Sequence, residues 1–179
     1  MLKRSMEKLH LDIVTLPSYP EPYATLLAML QNARKEWLEE LEEPSPEAIV
    51  WQPYPNGHSI GSILLHIASA EAYWIEMVCL GRELDPERGK RLMSGEIDAW
   101  NGIWPTPPLE PLSYYLALMD EVRTQTLESV KSFGSAEALV ENDWGIFTLK
   151  FVLTHLISHD SYHGGQAVLL SRMWTANSG

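Results

Sequence analysis

Four stretches of this 179-residue chain repeat apolar side chains at steps of three and four, and prolines and glycines break the chain between them. That spacing matches the turn of an α-helix, so each stretch reads as a helix with one buried face. The first runs from about Tyr23 to Leu41, with Leu26, Leu27, Leu30, Ala33, Trp37, Leu38 and Leu41 inward and Arg34, Lys35, Glu39 and Glu40 between them. The second runs from about Ile60 to Leu80 on Ile60, Ile63, Ile67, Ala70, Trp74 and Val78; Ser59 is placed to cap its start and Gly81 its end. The third, about Glu110 to Phe133, carries Pro111 in its first turn, buries Leu112, Tyr115, Leu116, Met119, Val122 and Leu127, and stops at Gly134. The fourth spans about Thr148 to Trp174, with Val152, Leu156, His159, His163, Gln166, Ala167 and Leu170 on one face. No alternating run is long enough to demand a sheet. Helices of this kind bury their stripes against one another, so the expected fold is all-α, a four-helix bundle in a single domain over residues 1–179.

The connections add detail. Residues 1–21 are a lead-in ending in the proline-rich Pro17–Pro22, and residues 44–58 form a second break around Trp51-Gln52-Pro53-Tyr54-Pro55-Asn56-Gly57. Residues 81–108 make a long crossover, with a short helix expected near Met93–Trp100; Ser135–Gly145 reads as a linker. Connections of the crossover's length are uncommon inside a compact domain and are often functional.

Net charge is −11, and the basic residues gather only at Arg88, Lys90 and Arg91. Phosphate binding needs clustered Lys and Arg, so nucleic acid is not an expected partner. The one cysteine, Cys79, rules out an intrachain disulfide and a cysteine-type zinc site, and reads as small apolar filler. His10 and Asp12 interrupt the apolar Leu9–Val14 stretch, so it does not read as a signal-peptide core, and no run approaches a membrane span. These features read as a cytoplasmic protein.

The chemistry concentrates in Thr154–Gln166, where His155, His159 and His163 follow one another at steps of four. Helical residues four apart share a face. Neutral imidazole is a common ligand for zinc, nickel and iron, and two histidines at i and i+4 can hold one ion. His66, on the apolar stripe of the second helix, can supply a third ligand from a facing helix. Three protein ligands leave an open position, the arrangement of a catalytic site. The competing reading is that the histidines are packed core residues and the chain is a non-catalytic bundle that binds a small molecule or a protein. His155 reads as support for the ligands, a substrate contact, a proton shuttle, or a structural or exposed residue; Gln166, three residues after His163, reads as orienting a ligand, contacting substrate or capping a polar gap between helices. Glu71 and Asp160 lie off the ligand-facing stripe and are weak candidates for a general base. Trp74, Tyr73 and Tyr162 read first as packing.

His66 within Ser59–Glu71, followed by His159-Asp160-Ser161-Tyr162-His163-Gly164-Gly165-Gln166, resembles the DinB/YfiT-like superfamily. Its pattern is one histidine in the second helix and His-x-x-x-His-x-Gly-Gln in the fourth. The resemblance covers the chain from the first helix through Leu170. It implies an up-down-down-up bundle, often a homodimer, with a divalent zinc or nickel ion held by His66, His159 and His163. It further implies a metal-dependent hydrolase or a thiol S-transferase acting on a small molecule with a low-molecular-weight thiol. Gly164 stands where many relatives carry a bulkier or basic residue, which implies less side-chain cover beside His163.

Overall fold

The computed structural model describes residues 12–142 and 145–178; the Leu9-His10-Leu11 stretch lies outside the described residues. Helices dominate: α1 (Tyr23–Leu41), α2 (Pro46–Val50), α3 (Ile60–Ala72), α4 (Pro86–Arg91), α5 (Leu112–Val130) and α6 (Leu149–Ser178). α3 runs on without a break into a π-helical segment, Tyr73–Cys79. Helix α1 packs on α6, and α3 packs on both α5 and α6.

Local chemistry accounts for the helix ends. The Ser59 hydroxyl accepts from the Ser62 N–H at 3.2 Å, and the Ser62 hydroxyl accepts from the Ser59 N–H at 3.0 Å, so two otherwise orphaned donors are satisfied at the start of α3. Gly81, at φ +61°, takes the left-handed conformation just past the π segment. The wider π turn carries the buried face on to Ile75, Glu76 and Val78, which leaves Ala70 and Trp74 only half-buried instead of on the main apolar stripe.

Two expectations fail. The short helix of the crossover lies at Pro86–Arg91, not Met93–Trp100, because Asp85 caps it by accepting from the Arg88 N–H at 2.9 Å and Pro86 is preset for its first turn. The expected linker Ser135–Gly145 contains a strand. β1 (Leu139–Asn142) pairs antiparallel with β2 (Gly145–Thr148), Val140 opposite Phe147. Phe147 then meets Trp74 edge-on at 5.7 Å, packing the hairpin against the π segment.

Two apolar clusters divide the interior. One gathers Ile63, Leu64, Ile67, Tyr115, Met119 and Ala167; the other gathers Tyr23, Leu27, Leu30, Ile75, Val152 and Leu156. Between them, along each of the four long helices, lies one buried charge: Arg34, Glu71, Arg123 and Asp160. Arg34, which the sequence sets between the apolar positions of α1, is 6% exposed. Its Nη2 donates to Glu71 at 3.0 Å and to Asp160 at 2.9 Å, and Arg123 donates to Glu71 from Nε at 2.7 Å and to Asp160 from Nη2 at 3.1 Å. Spare guanidinium donors reach the carbonyls of Met119 and Leu30, and the Trp37 indole donates to Asp160 at 2.7 Å. Burial opposes the charge on Glu71, but Arg123 and Arg34 outweigh it and hold its pKa below the ordinary value.

That indole explains Gly164. A Cβ there would fall 2.2 Å from Trp37 Cδ1, so the glycine lets α6 close onto the ring. The position serves the contact between α1 and α6; it is covered, not open. At Gly165 a Cβ would meet nothing within 4 Å.

Adjacent glycines should therefore respond oppositely. Gly164→Ala should lower stability by about 1–3 kcal/mol through overpacking, while Gly165→Ala should raise it by up to about 1 kcal/mol through helix propensity; urea unfolding measures both. Removing one member of the buried network, Glu71→Ala, should cost about 3–5 kcal/mol because two buried guanidinium groups are left sharing the single carboxylate of Asp160. Glu39→Ala, in the exposed Lys35–Glu39 pair, should change stability by less than about 1 kcal/mol in the same assay.

Candidate metal centre

His159 and His163 stand one turn apart on α6 and face His66 on α3. The three present ligand nitrogens that all lie within 4.8 Å of one another. His66 Nε2 and His159 Nε2 approach to 3.1 Å, and the His163 ring centroid lies 4.7 Å from that of His66 and 4.4 Å from that of His159. Two imidazole nitrogens sharing one tetrahedral zinc ion would sit about 3.3 Å apart. The donor set fits a divalent ion.

Protonation favours the same reading. Burial pushes the pKa of His66 down to about 4, helped by His163 and His58, and that of His159 to about 3, helped by His163, His66 and His155. Burial also lowers His163, against a raising hydrogen bond from Gln166. At neutral pH all three are uncharged, the form that ligates metal. Gln166 Oε1 lies 2.7 Å from His163 Nδ1. The amide oxygen can only accept, so the proton sits on Nδ1 and Nε2 carries a free lone pair.

His155 is elsewhere in character. It is half-buried, 5.0 Å from the Trp74 ring and stacked on Phe151 at 6.3 Å, and 5.7 Å from the His159 ring. Its described contacts are ring contacts, with no hydrogen bond to a member of the cluster. Glu71 and Asp160 are committed to Arg34 and Arg123, and Tyr162 is 65% exposed, at the edge of the His163 ring.

Two residues of the site escaped the sequence. His58, on the connection before α3, stacks on Trp104 at 4.0 Å, and its charge would depress the pKa of both His66 and His163. Trp104, 3% exposed, comes from the crossover and lies 5.2 Å from the His66 ring and 6.3 Å from that of His163. Gln52 ties the two loops together by donating to the carbonyls of Gly57 at 2.6 Å and Trp104 at 2.7 Å. The crossover's length was the only available signal for Trp104. For His58 the signal was an imidazole one residue before a helix cap.

A family model of mycothiol-S-transferases matches residues 25–173, which include every residue of the cluster. The chain belongs to the mycothiol-S-transferase family. That family is DinB/YfiT-like, in agreement with the motif resemblance. No curated protein matches the chain in sequence. Among the described residues no helix is long and apolar enough to cross a membrane.

The buried imidazoles set a pH dependence. Unfolded histidines titrate near about 6.5, whereas folded His66 and His159 titrate near 4 and 3. Between those values the unfolded chain binds more protons, so stability falls as pH drops below about 6.5. Chelator-treated protein should melt at a lower temperature at about pH 5 than at about pH 7.5, and His159→Gln should flatten that slope. An unchanged slope in scanning calorimetry would show that His159 is not buried as a neutral group.

Proposed function

We propose that this protein is a metal-dependent thiol S-transferase, joining a low-molecular-weight thiol of the mycothiol type to an electrophilic small molecule. The observation that carries the reading is the convergence of His66, His159 and His163, with Gln166 fixing the tautomer of His163, inside the region matched by the family model. In this reading the three histidines hold a divalent ion, zinc or nickel, through neutral nitrogens. When bound, that ion supplies positive charge that favours a thiolate over a thiol at neutral pH.

The remaining work falls to the protein's own groups. Gln166 keeps the His163 proton on Nδ1. Trp104 and His58 form an aromatic wall on one side of the cluster and exclude water there, which strengthens electrostatic interactions inside. Transfer is favoured over hydrolysis because the two nearby carboxylates, Glu71 and Asp160, are both engaged by arginines and cannot serve as a general base. The packing of α1 on α6 and of α3 on α5 and α6 supports an up-down-down-up bundle, proposed here as one domain with residues 81–108 as its crossover. A cytoplasmic homodimer completes the proposal.

Purified protein should carry about one divalent ion per chain, and His159→Ala or His163→Ala should abolish it in elemental analysis. Zinc or nickel at about 100 times its dissociation constant should stabilise the fold by about 2.7 kcal/mol, an effect reversed by chelator. Mycothiol-dependent consumption of iodoacetamide should fall with metal content. Full metal retention in both alanine variants would overturn the ligand assignment.

A further inference from the structure

Beside the imidazole cluster, between the 51–58 connection and α6, lies a cleft of about 180 Å³. Its walls are Pro53, the Tyr54 ring, Leu169, Leu170 and Met173, and His58 and Gln166 complete the lining. Those two belong to the site already described: Gln166 Oε1 sits 2.7 Å from His163 Nδ1, and His58 stacks on Trp104. The cleft therefore begins where the ligand set ends.

The walls are held in place. Gly57 lies under the Tyr54 ring, where a Cβ would fall 2.5 Å from Cε2, so the absence of a side chain lets the ring lie flat on the loop. Trp51 meets Trp174 edge-on at 5.7 Å and ties the connection to the far part of α6. Yet Tyr54 is 56% and Leu169 58% exposed, apolar surface left in water at the mouth. No acidic or basic side chain other than the His58 imidazole lines the cleft, so an ionic group would find no countercharge there.

We infer that this cleft is the subsite for the electrophile, and that it selects acceptors carrying a single small ring or a short alkyl chain. The inference rests on the transferase reading above. Size supports the occupant: an apolar cavity of about 150 Å³ accommodates benzene. A protein partner would bury about 1,200–2,000 Å² in total, far more than the seven residues that line this cleft present. Met173 is the adaptable wall, able to follow ligands of slightly different shape. The reaction balances as R–SH + E–X → R–S–E + H⁺ + X⁻. The thiol's S–H bond and the E–X bond break and the S–E bond forms, and the cleft holds the apolar part of E.

The test uses metal-loaded protein, mycothiol and a series of N-alkyl iodoacetamides from methyl to pentyl, which share one reactive carbon. KM should fall about fourfold per added methylene until the cleft is full, with kcat little changed. Leu169→Gln and Met173→Gln should flatten the series while metal content stays at the wild-type level. Independently of turnover, unreactive N-butylacetamide should shift the amide NMR signals of Leu169 and Met173 and the side-chain amide of Gln166. Turnover with a flat series and no such shifts would overturn the subsite and leave the transferase reading standing. Absence of turnover with shifts at the cleft would sink the transferase reading and with it the assignment to an electrophile, leaving a cleft for small apolar molecules. Absence of both would overturn the two together.

Discussion

Two arginines and two carboxylates, one on each long helix, meet in the interior and leave the four helices little freedom to slide. Arg34 and Arg123 each bridge Glu71 and Asp160, so a shift of any helix by one turn, about 5.4 Å, would separate charges that water cannot reach. Apolar packing is tolerant of such slips; a buried ion network is not, because a charge left unpaired costs several kcal/mol. The apolar clusters on either side supply the burial that drives folding, and the network between them selects one alignment. Its two positive and two negative groups cancel, so it fixes register without imposing a net charge on the interior.

The imidazole cluster inherits that register. His66 lies five residues before Glu71 on α3, while His159 and His163 bracket Asp160 on α6. Because Glu71 and Asp160 are held by the same two guanidinium groups, the faces next to them are held opposite one another, and His66 Nε2 meets His159 Nε2 at 3.1 Å. Asp160 itself turns away, taken up by the arginines and Trp37. A carboxylate next in sequence to His159 is thereby committed to holding the helices in place.

The sequence made one half of this arrangement legible and hid the other. Four long helices announced themselves because each buries a stripe, and His159 and His163 did so because a spacing of four is local. Arg34 and Arg123 were indistinguishable from solvated helix charges: their partners lie tens of residues away, and no short-range pattern marks a long-range ion pair. The π turn at Tyr73–Cys79 leaves no periodic trace, since it adds a residue to one turn and then yields to a loop. Strands of four residues are likewise too short to show alternation. Gly164 was misread in the other direction, as an opening beside His163, because the ring that fills the space comes from α1.

Helices and loops divide the work of the site, and the division has a physical basis. The nitrogens of the three clustered imidazoles, all within 4.8 Å of one another, can be held to about 0.5 Å of a set geometry only by elements locked by the interior, and all three come from α3 and α6. The groups that shape access, His58, Trp104 and the walls built from Pro53 and Tyr54, come from the two connections joined by Gln52. Loops can change without disturbing the buried charges, so the reacting centre can stay fixed while the space beside it is remodelled. Gln166 is the exception that joins the halves. Rooted on α6, it holds the His163 proton with one end and borders the apolar cleft with the same side chain. One amide thus links the wall of the cleft to the orientation of the His163 ring.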